Sequence, residues 1–299
     1  MDWRAYINGF GSYLKLEKSL SSNSVEAYLH DVDKLFQFLT LQSLDIMPDK
    51  VDLTLLQKFI KWVNELGMTA TSQARMISGI KAFYRYLLME NIVKSDPTQL
   101  LEAPKLARKL PDVLTVEDIN GIIDAVDLSS GQGQRNKAML ETLYSCGLRV
   151  SELVNLRISN LFLNENFVKV IGKGDKERLV PIGSVAIKQI TIYKNELRCH
   201  IKPLKSCEDI LFLNRRGGKL TRVMVFTIIK QLAHKTGLKK HISPHTFRHS
   251  FATHLIDGGA DLRAVQEMLG HESITTTEIY THLDRQYLRD AIIQFHPRS

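Results

Sequence analysis

The chain has little of what disulfide-stapled, metal-stapled or membrane-embedded proteins depend on. It holds three cysteines, Cys146, Cys199 and Cys207, an odd number with no CxxC spacing, so neither a disulfide framework nor a zinc ribbon is encoded. A reducing compartment suits that usage. No run approaches the roughly 18 apolar residues of a membrane span, and the opening MDWRAYINGFGSYLKLEK has no signal-peptide core, so a cytoplasmic protein without a membrane partner is expected. Glycine (17) and proline (8) are too few for a collagenous or low-complexity chain, and no long internal repeat is found. A GxxxxGK[ST] loop is missing too, which argues against an ATP site.

What is present is an ordinary globular composition, 44% hydrophobic and 24% charged, over 299 residues, enough for two units that each bury a core. The net charge of +8 points to a polyanionic partner. Its placement is uneven. Residues 1–105 carry 12 basic and 12 acidic side chains, leaving 28 and 20 for the remainder, so the whole excess lies in the C-terminal two-thirds.

The first hundred residues have helical periodicity. An opening helix is expected over residues 3–16. A second follows a capping-box pattern at Asn23 and Glu26, with Val25, Tyr28, Leu29, Val32, Leu35, Phe36 and Leu39 on one face. Asp52 or Thr54 can cap a third that stops at Gly67. A fourth carries Met76, Ile77, Ile80, Phe83, Tyr84, Leu87 and Leu88 on its apolar side while Arg75, Lys81 and Arg85 fall elsewhere, either as a solvated face or as phosphate contacts. From Asn91 to Pro111 the pattern breaks into a proline-containing connector with Lys94, Lys105, Arg108 and Lys109, which suits a soluble hinge and a crossing of a nucleic-acid backbone equally.

Beyond it, Thr115 and Asp118 form another capping pattern, and a further helix is stopped at Gly147. LFL, FVKVIG and RLVPI then read as short strands, the last two joined by a hairpin at Lys173-Gly174-Asp175-Lys176. Helical patterns return over residues 185–198, 223–236, 244–256, 262–269 and 285–295. The fold class is therefore mainly α with a small antiparallel β-sheet, in two domains: residues 1–90, a linker at 91–110, and residues 111–299.

Seven of the ten histidines lie between His234 and His282. His245 and His249 have the spacing of a zinc-binding HExxH, but Thr246 follows the first histidine and Arg248 would place a fixed cation beside the metal, so no metal site is expected. In Ser243-Pro244-His245-Thr246-Phe247-Arg248, by contrast, a serine cap and a first-turn proline start a helix whose N-terminus favours an anion. There His245 and Arg248 project from one side, and a guanidinium can hold two phosphate oxygens at once. That motif alone also fits simple capping and pairing with carboxylates. Arg149, in CGLRVSEL, stands where one helix ends and another begins, with Glu152 placed to steady it. Lys173 stands at a hairpin tip between glycines, His271 follows Gly270 past a helix end, and Tyr280 is a lone tyrosine in a polar stretch.

Taken in order, GLRVSEL, GKGDKERLVP, SPHTFRHSFATHL with GADLRAVQEMLGH, and ITTTEIYTH closely resemble the tyrosine recombinase (phage integrase) family, in particular the bacterial Xer site-specific recombinases. These motifs span Gly147 to His282, and the helical first hundred residues look like that family's core-binding, SAM-like domain, so the resemblance covers nearly the whole chain. The linker APKLARKLP and the ending HPRS are nearer the D branch of the Xer group than the C branch.

The resemblance implies a DNA strand-exchange enzyme that works without metal, ATP or any cofactor. Tyr280 would be the nucleophile, Arg149 and Arg248 the phosphate-holding pair, Lys173 the general acid, and His245 and His271 the remaining catalytic groups. It implies double-stranded DNA as partner, with Arg75, Lys81, Arg85, Lys105, Arg108 and Lys109 as candidate DNA contacts. It further implies a tetramer on two duplexes, a paralogous recombinase and a DNA translocase as possible partners, and a role in resolving chromosome dimers at cell division. The final helix, residues 287–295, is expected to pack on a neighbouring subunit. Glu278 departs from the usual neutral residue there, and His249, His254 and His282 fall outside the catalytic pattern. A mobile-element integrase or invertase, a type IB topoisomerase-like enzyme and a non-catalytic DNA-binding protein are the alternatives.

Overall fold

A computed structural model describes residues 3–105, 113–240, 242–270 and 282–299. The chain divides into two compact units, Met1–Lys109 and Leu110–Ser299.

The first unit is built from α1 (Trp3–Leu16), α2 (Ser22–Leu41), α3 (Leu53–Glu65) and α4 (Ala70–Met89). Their apolar stripes meet in a core around Phe10, Leu35, Phe59, Phe83 and Tyr84, all fully buried, with Phe10 and Phe83 edge to face at 5.4 Å. Asp52 caps α3 by accepting from the Leu55 N–H at 2.8 Å, as one of the two expected residues, and Thr69 caps α4. The start of α2 differs from the sequence reading. Ser21, not Asn23, is the cap, because its hydroxyl reaches both the Ser24 N–H and the Ser24 hydroxyl, which leaves Asn23 inside the first turn.

The second unit opens with α5 (Val116–Asp124), where Thr115 and Asp118 exchange side-chain-to-backbone hydrogen bonds as the motif predicts. Helix α6 (Gly133–Ser145) is buried along almost its whole length, and the short α7 (Val150–Val154) follows the turn at Gly147. Strands β1 (Leu161–Phe162), β2 (Phe167–Ile171) and β3 (Glu177–Pro181) form an antiparallel sheet in that order, with Val168 opposite Val180 and Val170 opposite Arg178. Helix α8 (Ser184–Ile192) does not continue to residue 198 in α form. It widens into a π turn (Tyr193–Leu197) and a 3-10 turn, which lets Arg198 reach the carbonyls of Glu208 and Ile210 and the Tyr193 hydroxyl accept from the Leu213 N–H. Then come α9 (Arg222–Lys235), α10 (Pro244–Gly258), α11 (Leu262–Leu269) and α12 (His282–Phe295).

Within this chain α12 lies against α10, α11 and β3, burying Leu288, Ala291 and Ile292. The apolar side of α12 has cover available on its own unit, and the residues after it add to that seat. Arg298 pairs with the fully buried Glu141 at 3.0 Å, and burial among Tyr144 and Phe251 pushes the His296 imidazole down to about 3. Among the described residues no helix is long and apolar enough to cross a membrane.

The turn that delivers Arg149 depends on Gly147. Its φ is +53°, and a Cβ there would lie 2.3 Å from Cδ1 of the fully buried Phe251. Left-handed strain and overpacking add, so Gly147→Ala should lower the stability of the second unit by about 2–4 kcal/mol, read as an earlier urea midpoint with an unchanged slope.

Candidate active site

Helix α11 is short, and its C-terminus leaves carbonyl oxygens without partners inside the helix. Gly270, at φ +64° in the left-handed region, turns the chain away there. The last three carbonyls are then taken by three arginines that are far apart in sequence. Arg178 Nε donates to Met268 O at 2.9 Å, Arg248 Nη2 donates to Leu269 O, and Arg149 Nη2 donates to Gly270 O at 3.4 Å. The negative end of the helix dipole suits this cluster of cations.

Glu152 is the other half of the arrangement. It sits in the first turn of α7 with 4% of its surface exposed, and four hydrogen bonds saturate its carboxylate. Oε1 accepts from Arg149 Nη1 at 2.9 Å and from Arg178 Nη1 at 2.8 Å. Oε2 accepts from the Arg149 backbone N–H at 2.7 Å and from Arg178 Nη2 at 2.9 Å. Arg248 stands 3.9 Å from Oε2 and is anchored by donating to Gly147 O at 2.7 Å. Three guanidiniums and one carboxylate thus leave a net positive cluster on one side of the second unit.

The electrostatics follow from burial. Desolvation alone would raise the Glu152 carboxyl, but the hydrogen bonds and charge of Arg178, with those of Arg149, outweigh it and hold the group below its ordinary value. Arg248 is pushed down to about 10, first by burial and then by the neighbouring Arg149 charge, with Glu152 opposing. Such a cation gains more from an incoming anion than one already satisfied in water.

His245 lies in the first turn of α10, exposed, three residues before Arg248, behind a capping box in which Ser243 and Thr246 bond each other's backbone N–H. Lys173 occupies the turn between β2 and β3, where Gly174 takes φ +70°. His271 and Tyr280 lie outside the described residues. Of the candidate DNA contacts, Arg75 directs both terminal nitrogens onto the buried Asp31 at 2.7 and 2.6 Å while its own side chain stays 48% exposed. Arg85 and Lys105 are exposed, Lys81 is half-buried, and Arg108 and Lys109 lie outside the described residues. His254 is engaged internally, its Nδ1 2.7 Å from the Tyr144 hydroxyl. Among the described residues no group of three or more metal-ligating side chains comes together.

Arg178 was not singled out from the sequence. A signal for it existed: in GKGDKERLVPI the period-two alternation puts Arg178 in phase with Val180 and Ile182, which are buried, so a charged residue falls on the inward face of a strand.

Removing the carboxylate tests the cluster. Glu152→Ala leaves buried guanidiniums facing one another and should cost about 3–5 kcal/mol. Because the folded-state pKa of Glu152 is lowered, its contribution is fully present above the ordinary carboxyl range and fades as pH falls through the folded value. Urea titrations of the wild type between pH 7 and 3 should therefore lose stability with acid, and Glu152→Gln should flatten that slope.

Comparison with known proteins bears on the whole chain. Residues 112–287 match the model described as "Phage integrase family", and residues 7–91 match "Phage integrase, N-terminal SAM-like domain". Proteins described as tyrosine recombinase XerD are 45% identical in Chlorobaculum tepidum, over 99% of this chain and 98% of the relative, and 43% identical in Staphylococcus aureus, over 96% and 97%. Among solved structures, the XerH site-specific recombinase bound to difH substrate superposes with a TM-score of 0.74 at 22% identity, covering 93% of this chain and 92% of that one. A lambda integrase dimer bound to a COC' core site gives 0.72 at 15% identity, covering 93% and 100%, a likeness of fold. With matching models over both units and near-full-length relatives at this identity, the chain belongs to the phage integrase family as a XerD-like site-specific tyrosine recombinase.

Proposed function

We propose that Arg149 and Arg248 hold the two non-bridging oxygens of the scissile DNA phosphate, and that Tyr280 attacks its phosphorus. The observation that supports this reading is the convergence of both guanidiniums on Glu152 and on adjacent carbonyls of α11, which fixes two partly desolvated cations side by side. As the Tyr280 oxygen bonds to phosphorus, its proton passes to His245. The bond from phosphorus to the 5′ oxygen breaks, and Lys173 in its hairpin turn supplies the proton that oxygen needs. His271 hydrogen-bonds the phosphate. The result is a 3′-phosphotyrosyl linkage and a free 5′-hydroxyl, and attack by a 5′-hydroxyl from a second duplex reverses the chemistry with strands exchanged. The ester bond is conserved throughout, so the cycle requires no ATP.

The partner is double-stranded DNA, contacted by a helical core-binding domain at residues 1–90 and by a catalytic domain at 111–299. Arg75, Lys81 and Arg85, with Lys105, Arg108 and Lys109 in the 91–110 linker, contact the backbone. Four protomers act on two duplexes, with a paralogous recombinase and a DNA translocase as candidate partners in the cytoplasm, and the reaction resolves chromosome dimers before cell division. XerH crystallised on its difH substrate and lambda integrase crystallised as a dimer on a core site support DNA and multimeric assembly as the setting.

Covalent capture tests the chemistry. DNA recovered from protein adducts in cells identifies the site, and a duplex of that sequence nicked beside the scissile phosphate should trap wild-type protein. Tyr280→Phe should trap none, while Arg149→Ala and Arg248→Ala should slow trapping by about 100-fold or more. No adduct with the wild type, or undiminished adduct with Tyr280→Phe, overturns the assignment. Backbone contacts have their own signature: Arg85→Ala should weaken binding to all sequences alike and reduce the slope of log K against log salt by about 1.

A further inference from the structure

Arg178 takes no part in the reaction just described, yet it is the most enclosed cation of the cluster, with 7% of its side chain exposed. Nε, Nη1 and Nη2 each have a partner, Met268 O, Glu152 Oε1 and Glu152 Oε2, at 2.9, 2.8 and 2.9 Å. The guanidinium also fills the gap between two glycines. A Cβ at Gly172 would lie 3.4 Å from Nη1, and one at Gly270 would lie 3.1 Å from Cδ. Gly172 leads directly into Lys173, and Gly270 directly into His271. One side chain therefore joins the hairpin, the start of α7 and the end of α11.

Charge makes the arrangement more than a brace. Glu152 is the acceptor that orients Arg149, and it stands near Arg248, but one carboxylate beside two guanidiniums would cancel one of them. The phosphate they receive passes from a singly charged diester to a doubly charged phosphorane as the tyrosine attacks, so cancelled charge is lost where it is needed. The bidentate bond from Arg178 occupies one lone pair on each Glu152 oxygen and restores the missing positive charge behind the carboxylate, away from solvent.

We infer that Arg178 is a positioning and charge-balancing residue for strand cleavage, holding Glu152 so that it can order Arg149 and Arg248 without neutralising them. This rests on the recombinase reading above, and the two can fail separately.

The test uses full-length protein and the nicked duplex, with either the natural phosphodiester or a neutral methylphosphonate at the cleavage position. Arg178→Gln removes the charge together with the bidentate bond to Glu152 and the bond to Met268 O, so the comparison of the two duplexes is what separates charge from packing. This variant should form adduct about 10–100-fold more slowly than wild type on the phosphodiester, and lose less than about threefold on the methylphosphonate, whose transition state carries less charge. Equal losses on the two duplexes would mean a merely structural role and overturn the inference, as would a phosphodiester rate within about twofold of wild type. The pair R178M/E152Q removes the buried pair together and leaves the balance of Arg149 and Arg248 intact, so it should cleave the phosphodiester within about tenfold of wild type. A larger loss overturns the inference, and this comparison stands even where a thermal melt finds Arg178→Gln unfolded. Absence of adduct with the wild type sinks the recombinase reading instead.

Discussion

A carboxylate almost wholly shut off from water dictates how the catalytic unit is put together. Glu152 carries four hydrogen bonds, two from Arg178, one from the Arg149 side chain and one from the Arg149 backbone, with Arg248 close by. Each arginine in turn donates to one of three consecutive carbonyls at the end of α11. Buried ions repay their desolvation only when their hydrogen bonds are complete, so every member of this set constrains the rest. The segments that bring the members together are α7, β3, α10 and the last turn of α11, which approach one another through this polar cluster as well as through the apolar core. A recombinase needs such rigidity because misplacing a phosphate ligand by a fraction of an ångström wastes most of its stabilisation of the transition state.

The cations of the cluster are under electrostatic tension with one another. Three guanidiniums share one carboxylate, and Arg248 feels both burial and the charge of Arg149, which together depress its affinity for its own proton. In water such charges would be screened and loosely oriented. Here helix carbonyls and Glu152 hold them, and these acceptors are dipoles and one charge rather than a full complement of counter-ions. On the proposed reading, an entering phosphodiester supplies the missing negative charge. The protein has paid the cost of assembling the cations during folding, so little reorganisation remains for the moment of attack.

How much of this was legible in the sequence depends on the range of the interaction. Local rules found the Thr115 capping box, the Asp52 cap, the three strands and the hairpin, because each is decided within a few residues. The same kind of rule misplaced the start of α2, where Ser21 competed with Asn23 and won through a second bond to the Ser24 hydroxyl. Arg149, His245 and Arg248 were singled out from residue type and local context, and the motif around His245 fits an anion site and ordinary capping equally. The bonds of Arg248 to Gly147 and Leu269 join elements far apart in sequence, which no local rule reaches. For Arg75, nothing nearby in sequence revealed that Asp31, 44 residues earlier, would be buried against it, a partner the exposed arginine holds at one side.

Why Asp31 is there shows how packing overrides pattern. Helices α2 and α4 approach closely at Gly79, where a Cβ would fall 2.9 Å from the Asp31 Cβ, so the aspartate is trapped at the crossing. A carboxylate shut into that space is raised by burial, and Arg75 opposes the rise by charge and two short hydrogen bonds. Both units thus use the same device, an arginine reaching over a buried acid where helices or strands come too close for larger side chains. In the first unit the guanidinium reaches the acid from a partly exposed position. In the second, on the inference above, Arg178 offsets Glu152 from a buried position and leaves the charge of its neighbours free.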